Sequence, residues 1–257
     1  MRIDLNADVG ESFGAWELGE DERLIPWVTS VNVAAGLHAG DPGTIERTVA
    51  LAVRHGAAIG AHPGYPDLAG FGRRPMALSG EDIETSVLYQ VGAVAAFARA
   101  AGTDLRHVKA HGALYNRAAR DRTAADAIAS AVRRFDASLV LVGLAGSQLV
   151  AAGRDAGLEV AEEAFADRAY EPDGSLRSRD HADAVLDDPQ ASAAQAVAIV
   201  RGELRARDGS ALQLRADTIC VHGDLPGAAD RARAVRVALD AAGVAVRPLA
   251  VAGGAGS

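Results

Sequence analysis

The feature that most constrains the fold of this chain is a regular alternation of short apolar segments with longer helical patterns. The apolar segments predict strands at residues 2–7, 30–35, 57–62, 106–111, 138–144, 158–165 and 217–222, with a further strand at 244–249. Helical patterns lie between them, at residues 42–55, 80–101, 122–134, 146–156, 189–206 and 227–242. Strands that alternate with helices form parallel sheets, and this many repeats in 257 residues favour a closed barrel. The sequence therefore predicts an α/β fold of the TIM-like (β/α)-barrel type.

An open, doubly wound sheet is the alternative fold, but no G-x-G-x-x-G sequence follows the first predicted strand. No linker or low-complexity segment divides the chain, so residues 1–250 are expected to form a single barrel domain. Residues 251–257 are expected to form a disordered tail, and 166–188 is the one long segment that departs from the repeat.

Residues at the predicted helix ends support these boundaries. Ser79 is followed three residues later by Asp82, a pattern close to a capping box. Four glycines stand just after helical patterns, where a left-handed residue commonly ends a helix: Gly56, Gly102, Gly157 and Gly243.

Charge and cysteine content narrow the class of protein. The net charge is -8 and no basic stripe is present, which argues against nucleic acid or an anionic membrane surface as a partner. Cys220 is the only cysteine, so no disulfide framework is expected and a reducing cytosol is the simplest compartment. The N-terminal residues do not read as a secretory signal, and no apolar stretch has the length of a membrane span. We expect a soluble, cytoplasmic protein.

Each predicted strand can be divided into two faces, because successive side chains of a strand point to opposite sides. In the first strand the polar face holds Asp4, Asn6 and Asp8; in the fourth, His107, Lys109 and His111; in the seventh, Thr218, Cys220 and His222. In a barrel the apolar face packs on the helices and the other face points into the lumen.

Polar residues also collect at the carboxyl ends of six strands, the end where barrel active sites lie. They are Asp8, Asn32, His62, His111, either Glu162 or Glu163, and His222. One such residue alone would more often be a hydrogen-bonded core residue than a catalyst. Because six strands end in the same way, the sequence predicts an active site at this end of the barrel.

The loops after these strands supply further candidates. Asp41 and Asp224 each precede a predicted helix, so each is a candidate either for helix capping or for catalysis. Glu11 lies near Asp8 at the same mouth. Three arginines, Arg73, Arg74 and Arg168, are candidates for binding a carboxylate or phosphate, although loop arginines are often merely solvated.

The chain contains 26 lysine and arginine residues, and Lys109 is the only lysine among them. Retention of this one ammonium suggests a site where a guanidinium cannot replace it. Chance retention is the alternative.

The sequence leaves open whether a metal ion or a nucleotide binds. His107 and His111 are spaced too far apart along one strand to share an ion, whereas residues from different strands are able to converge. The metal-binding candidates are Asp8, His38, His62 and His111. No Walker sequence is present, and "GLAGSQ" at 143–148 is a weak signal for an anion site.

Seven segments together resemble the LamB/YcsF family of lactam-utilization proteins. They are "IDLNADVGESFG", "SVNVAAGLHAGDP", "IGAHPGYPDLAGFGRRPM", "HVKAHGALYN", "LVGLAGS", "EAFADRAYEPDGSL" and "CVHGD", in this order over about residues 1–245. The resemblance implies a divergent seven-stranded (β/α) barrel, related to glycoside hydrolase and deacetylase barrels. It also implies ATP-dependent opening of 5-oxo-L-proline to L-glutamate in a complex with subunits B and C.

The chemistry of that reaction assigns expected roles to the candidates. Asp8 is the expected base or metal ligand, with His62, His111 and His222 positioning water or a metal ion. Lys109 is expected to stabilise a phosphorylated lactam oxygen. The expected substrate-binding residues are Asn6, Asn32, Arg73, Arg74 and Glu11. ATP is expected to be bound by partner subunits or shared with them. The alternatives are a metal-dependent deacetylase or amidohydrolase that acts alone, and a non-catalytic subunit that delivers substrate.

Overall fold

Seven of the predicted strands pair in parallel and close into a barrel in the computed structural model, which describes residues 1–249. They are β1 (Arg2–Val9), β2 (Ser30–Ala34), β3 (Ala58–His62), β4 (His107–Lys109), β5 (Val140–Leu144), β6 (Val160–Phe165) and β7 (Thr218–Val221). Strand β1 pairs with both β2 and β7, and this double pairing closes the ring. A short eighth strand, β8 (Ala245–Val246), pairs only with the first residues of β1. The closed seven-stranded barrel confirms the predicted fold class, and the open-sheet alternative is wrong.

Helices connect the strands around the outside of the ring. They are α1 (Asp21–Leu24), α2 (Pro42–His55), α3 (Gly80–Ala100), α4 (Gly112–Ala118), α5 (Arg122–Phe135), α6 (Gln148–Asp155), α7 (Pro189–Arg201) and α8 (Ala228–Ala241). Two single turns of 3₁₀ helix lie at Ile25–Trp27 and Leu68–Gly70. None of the helices within residues 1–249 has both the length and the apolar character that crossing a membrane requires.

Three predicted boundaries were clearly wrong, and two helices were missed. Strand β8 ends at Val246 instead of residue 249. Helix α7 ends at Arg201 instead of residue 206, because Gly202 adopts a left-handed conformation and ends it. Strand β4 ends at Lys109 instead of residue 111, because His111 is the N-cap of α4. The short helices α1 and α4 were not predicted, since each is too short to show a helical period. The predicted tail at 251–257 lies outside the described residues.

Two of the predicted N-terminal caps are confirmed, and the capping alternative for Asp224 is wrong. Ser79 and Asp82 form a reciprocal capping box at the start of α3. The Asp41 carboxylate accepts from the backbone N–H groups of Gly43 and Thr44 at the start of α2. Asp224 is not a cap: the N-cap position of α8 belongs to Gly227.

The aliphatic core lies between the strands and the helices, and the lumen of the barrel is largely polar, with a small apolar cluster of Val140, Val142 and Ala161. Along β1, the outward-facing Ile3, Leu5 and Ala7 are buried against the helix layer. The alternate residues Asp4 and Asn6 are also buried, but they form hydrogen bonds to other strands within the barrel. The predicted division of each strand into an outer apolar face and an inner polar face is therefore confirmed for β1.

One glycine shows how tightly the lumen is filled. A Cβ atom on Gly60 of β3 would lie only 2.2 Å from Nε2 of His107 on the neighbouring strand. The His107 ring therefore occupies the space that a side chain at position 60 would need. This close approach explains why β3 carries a glycine where its neighbours in the sequence are apolar.

Candidate active site

The Asp4 carboxylate lies near the amino-terminal end of the lumen. It accepts hydrogen bonds from Thr29, which precedes β2, and from Ser30 of β2, each at 2.7 Å. It also accepts a hydrogen bond from Thr218 of β7. Burial raises the pKa of Asp4 above its usual value, although these hydrogen bonds oppose the shift. Asp4 therefore joins three strands at the amino-terminal end of the barrel, far from the end that carries the candidate residues.

Above this layer, the Lys109 ammonium is surrounded by acceptors. Its Nζ atom lies 2.9 Å from Asp8 Oδ1, 2.9 Å from Glu163 Oε1, 3.0 Å from Cys220 Sγ and 3.3 Å from Asn6 Oδ1. Burial would lower the pKa of Lys109, but the neighbouring Asp8, Cys220 and Glu163 hold it well above the ordinary value. With 2% of the residue exposed, all three N–H groups have partners inside the protein. Lys109 is a charged centre of the buried network rather than an open ligand-binding group.

Two asparagines link this centre to the rest of the barrel wall. Asn32 donates from Nδ2 to Asn6 Oδ1 at 2.7 Å and to Asp8 Oδ1 at 2.8 Å. Asn6 in turn donates to Glu163 Oε1 at 3.0 Å. His107 donates from Nε2 to Asn32 Oδ1 at 2.8 Å, and burial lowers the pKa of His107 to about 3. Both asparagines are thus buried and fully engaged in orienting the Asp8 and Glu163 carboxylates.

Glu163, and not Glu162, points into the lumen. Its second carboxylate oxygen accepts from the hydroxyl of Tyr115 on α4 at 2.7 Å. Glu162 faces outward, where it accepts from Gly146 N and forms an ion pair with Arg154. The sequence left open which of these two neighbours faces the lumen. Successive residues of β6 point to opposite faces, and in the structure Glu163 is the one that points inward.

The Asp8 carboxylate lies at the upper edge of the buried network. Its Oδ2 atom is 3.4 Å from His62 Nε2, while Oδ1 is held by Lys109 and Asn32. Burial alone would raise the pKa of Asp8, but interaction with His62 and the charge of the Lys109 ammonium lower it well below the usual value. A carboxylate that stays ionised in this way is a weak base, and it is well suited to hold a cation.

A cluster that we call the rim cluster, formed by Glu11, His38, His62 and His111, lies next to Asp8. One ligand-type atom from each of its four residues lies within 4.8 Å of all the others, and every member is buried. The rings of His38 and His111 stack at 3.8 Å between centroids, and His62 meets His111 edge-on. Burial lowers the pKa of His38 and of His111 well below the usual value, and it raises the pKa of Glu11, helped by Asp224 and Asp8.

The loop after β3 is shaped around this cluster. Phe71 adopts a left-handed backbone conformation with φ of 53°, which is uncommon for a non-glycine residue. In this conformation its carbonyl oxygen accepts from His111 Nε2 at 2.8 Å. At Gly72, with φ of 64°, a Cβ would lie 2.8 Å from the His111 ring and 2.9 Å from His38 Cβ. The glycine-rich sequence of this loop therefore allows it to pack against the histidines.

The His222 ring lies at the mouth of the barrel and is oriented by a carboxylate. Asp167 accepts from His222 Nδ1 at 2.9 Å and from the His222 backbone N–H at 2.8 Å. Burial opposes ionisation of Asp167, but the charge and hydrogen bonds of His222 lower the pKa of Asp167 to about 2. The imidazole also stacks on Phe165. Since Nδ1 donates to Asp167, Nε2 is left as an acceptor on a residue that is 9% exposed.

Arginines contribute to the electrostatics of the mouth. Arg73 forms an ion pair with Asp224 at 2.7 Å, lies over the Phe71 ring, and keeps 34% of its side chain exposed. Burial and the nearby charge of Arg179 lower the pKa of Arg168 to about 10. Burial and the charge of Arg73 likewise lower the pKa of Arg179. Arg168 is buried and donates to two backbone carbonyl oxygens, so Arg73 is more exposed than Arg168.

Arg74 does not belong to this group. Its guanidinium binds Asp67 of the same loop, and 67% of its side chain is exposed. The pairing joins the two ends of the turn that contains Leu68–Gly70. The predicted substrate-binding role of Arg74 therefore finds no support in the structure, which uses this residue within its own loop.

The structure brings most of the other sequence candidates together at the carboxyl end of the barrel. Three residues that matter there were missed: Asp167, Tyr115 and Arg179. Asp167 stands two residues after β6, so the rule that selected the other strand ends would have found it in a slightly wider window. Tyr115 and Arg179 carry no such signal, because they reach the site from a helix and from a long loop.

Comparison with known proteins agrees with the fold. The family model described as the LamB/YcsF family matches residues 3–253. A Methylococcus capsulatus protein, named as the A subunit of 5-oxoprolinase, is 58% identical over 248 residues, which cover 96% of this chain and 95% of that protein. A protein of the same name from Chloroflexus aggregans is 57% identical over 96% of this chain and 98% of its own length.

A solved structure is also closely similar. The crystal structure of the lactam utilization protein from Thermus thermophilus matches with a TM-score of 0.92 and 50% identity, over 97% of this chain and 100% of that one. The similarity in sequence and in structure therefore extends over nearly the whole chain. The chain belongs to the LamB/YcsF family, as its sequence motifs predicted.

Proposed function

We propose that this chain is the A subunit of a 5-oxoprolinase, which opens 5-oxo-L-proline to L-glutamate with hydrolysis of ATP and acts with subunits B and C. The observation that carries the proposal is the near full-length identity of more than half of all residues with proteins that are named as the A subunit of this enzyme. The buried polar network at the mouth of the barrel supplies the chemistry that this reaction needs.

The amide of a five-membered lactam is stabilised by resonance, so water alone attacks it slowly. Transfer of the γ-phosphoryl group of ATP to the lactam oxygen releases ADP and makes the ring carbon electrophilic. Water then adds to that carbon, and the intermediate expels the ring nitrogen as the amine, which leaves an acyl phosphate. A second water cleaves the acyl phosphate to the carboxylate of glutamate and inorganic phosphate. Each of the two reactions with water needs a base. The phosphorylated lactam and the acyl phosphate are both negatively charged, so each needs cations nearby.

The arginines of the mouth suit the anionic groups of this reaction. Arg73 is partly exposed, and its charge lowers the pKa of both Arg168 and Arg179. Arg168 is buried and donates to the carbonyl oxygens of Ala184 and Arg177, so its charge acts on a bound anion from within the wall. Guanidinium groups bind carboxylate and phosphate through paired hydrogen bonds. We assign the carboxylate of 5-oxoproline to Arg73 and the transferred phosphoryl group to the region shared with Arg168 and Arg179.

His222 is the best placed base for water. Asp167 fixes its tautomer, so Nε2 is free to accept a proton at the mouth. Asp8, the base expected from the sequence, has a lowered pKa and both of its oxygens lie beside cationic or donor groups. We therefore assign Asp8 an electrostatic role and Lys109 the role of positioning Asp8.

ATP is assigned to the partner subunits or to an interface with them. The Gly-rich turn before α6 is the one nucleotide-like segment of the sequence, but its amides have partners already. Gly146 N donates to Glu162, and Ser147 caps the helix by accepting from Val150 N. A phosphate would have to displace both contacts.

The test is an assay of glutamate release from 5-oxoproline, with this chain alone and with its B and C partners, each with and without ATP. We expect release only when all three subunits and ATP are present. His222→Gln should lower the turnover number of the complex at least 100-fold, whereas His55→Gln, a change at an exposed residue on the last turn of α2, should not alter it. Wild-type turnover by the His222→Gln complex would contradict the assigned base.

A second candidate function is favoured by the rim cluster, which resembles the ligand set of a metal-dependent amide hydrolase. That function predicts cleavage by this chain alone, without ATP, and loss of cleavage on chelation. A substrate-delivery role instead predicts that Asp8→Ala and His62→Ala leave turnover of the complex unchanged. The same assay therefore separates all three functions.

A further inference from the structure

We propose that Glu11, His62 and His111 bind one divalent transition-metal ion, with Zn²⁺ the best match, at the upper edge of the barrel. The proposal does not rest on the 5-oxoprolinase function, since it concerns the ligand atoms alone. It differs from the metal set expected from the sequence: Glu11 replaces Asp8, and His38 is not a ligand.

Two backbone carbonyls fix the tautomers of the histidines. His62 Nδ1 lies 2.8 Å from the Lys109 carbonyl oxygen, and His111 Nε2 lies 2.8 Å from the Phe71 carbonyl oxygen. A carbonyl oxygen only accepts, so each of these nitrogens must carry a hydrogen. In a neutral ring the other nitrogen then presents a lone pair.

Those two lone-pair nitrogens face each other. His62 Nε2 and His111 Nδ1 are 3.0 Å apart, and neither neutral ring has a hydrogen to place between them. Two lone pairs at this separation repel unless a cation lies between or beside them. Backbone carbonyls that hold the distal nitrogens of two convergent histidines are the usual supports of metal-binding imidazoles.

The spacing of the atoms suits a single ion. At a metal–nitrogen distance of about 2.1 Å, two nitrogens 3.0 Å apart subtend an angle of about 90° at the metal. Glu11 Oε1 lies 3.6 Å from His111 Nδ1, which corresponds in the same way to about 120°. Both angles are acceptable for four- or five-coordinate zinc, and two nitrogens with one carboxylate form a known ligand set for this ion.

Glu11 itself needs a cation. It is 5% exposed, and its Oε2 atom has no hydrogen-bond partner among the described residues 1–249. Arg73, the cation whose charge opposes the rise in the pKa of Glu11, is itself paired with Asp224. A buried carboxylate without a partner is costly, and a metal ion would remove that cost.

His38 is adjacent but wrongly oriented to share the ion. A metal binds an imidazole nitrogen in the plane of the ring, and the His38 and His111 rings are stacked, with 6° between their planes. An ion in the plane of His111 therefore lies out of the plane of His38. Neither ring nitrogen of His38 has a hydrogen-bond partner among residues 1–249. Because of its orientation, His38 lies beside the site without binding the ion, and we expect metal binding to tolerate its replacement.

The test uses the purified full chain after dialysis against a chelator. Zn²⁺ is titrated in competition with a chromophoric chelator, and Co²⁺ binding is followed by its visible absorption. We expect one equivalent of either ion. Glu11→Gln and His111→Gln should each weaken Zn²⁺ binding more than about 100-fold, beyond the effect typical of outer-shell partners. His38→Gln should change it less than 10-fold, and the exposed-site control His55→Gln should leave it unchanged.

Two results would overturn the proposal. The first is the absence of stoichiometric binding by the wild-type chain, which would mean that a proton bridges His62 and His111. The second is Zn²⁺ binding that persists in Glu11→Gln and His111→Gln, which would place the ion elsewhere. If a variant fails to fold, ¹⁵N spectra of the wild-type imidazoles decide the matter, since Zn²⁺ should shift His62 Nε2 and His111 Nδ1 and no nitrogen of His55.

Discussion

At the scale of single residues, the surroundings of Lys109 explain why this position carries the only lysine of the chain. Four acceptors surround its Nζ atom within 3.3 Å, and two of them are buried carboxylates on strands β1 and β6. A guanidinium is larger and planar, so it would not fit among acceptors arranged around a single point. The sequence suggested that this position requires an ammonium, and the buried geometry supplies the physical reason.

Lys109→Met should destabilise the protein by about 3–5 kcal/mol, because it leaves Asp8 and Glu163 buried together without a cation. Urea unfolding of the isolated chain measures the change. Arg54→Met, at an exposed position of α2, is the matched control and should change the free energy of unfolding by less than about 0.5 kcal/mol. A loss below about 1 kcal/mol in Lys109→Met would show that the carboxylates do not depend on this ion pair.

Tyr115→Phe tests the same network from its other side. The variant removes the hydroxyl that donates to Glu163 Oε2 and leaves this buried oxygen without that partner. We expect a cost of about 1–3 kcal/mol in the free energy of unfolding. Thermal and urea unfolding should agree on the loss, and an unchanged midpoint would mean that Glu163 finds another donor.

At the scale of elements, the close packing of β3 against β4 depends on the absence of a side chain at Gly60. Gly60→Ala would place its Cβ 2.2 Å from the His107 ring, within a layer that has no free volume. We expect a loss of more than about 3 kcal/mol, at the upper end of overpacking effects. Gly92→Ala in α3 is the control, because no atom outside the local helix lies closer than 3.9 Å to the new Cβ. It should stabilise the protein by about 0.5–1 kcal/mol.

The double variant Gly60→Ala with His107→Ala separates steric conflict from loss of the glycine's backbone freedom. If the ring is the obstacle, the double variant should unfold at a higher urea concentration than Gly60→Ala alone. Equal or lower stability of the double variant would contradict the steric explanation.

At the scale of the whole molecule, the pair of Asp167 and His222 predicts how stability falls in acid. The folded-state pKa of Asp167 is about 2, below its usual value, because the charge and hydrogen bonds of His222 outweigh the effect of burial. A carboxyl with a lowered pKa stabilises the fold above its unfolded pKa, and this contribution is lost as pH falls. The pair should therefore contribute about 2 kcal/mol that disappears between pH 4 and about pH 2.

Unfolding free energies of the wild type and of Asp167→Asn, measured from pH 5 to pH 2, test this contribution. The difference between the two proteins should shrink as the pH falls. A difference that stays constant over this range would show that Asp167 does not titrate with folding.

The sequence predicted the barrel because strand and helix periods are local properties, set by which side of each element meets apolar neighbours. The polar inner face of β1 could be predicted for the same reason, and the placement of His62 and His111 at the carboxyl ends follows from the parallel order of the strands. The choice of Glu163 over Glu162 could not be made, because a shift of one residue in the strand boundary exchanges the two faces.

The sequence by itself determined which side chains of β1, β4 and β7 face the lumen and which end of the barrel collects the polar residues. Only the tertiary structure decided which of them meet: His222 with Asp167, Arg73 with Asp224, and His62 with His111 at 3.0 Å. These pairs join residues between 49 and 151 positions apart in the chain. Their contacts depend on how the ring of strands closes and on the path of each loop, and no local period of the sequence records either.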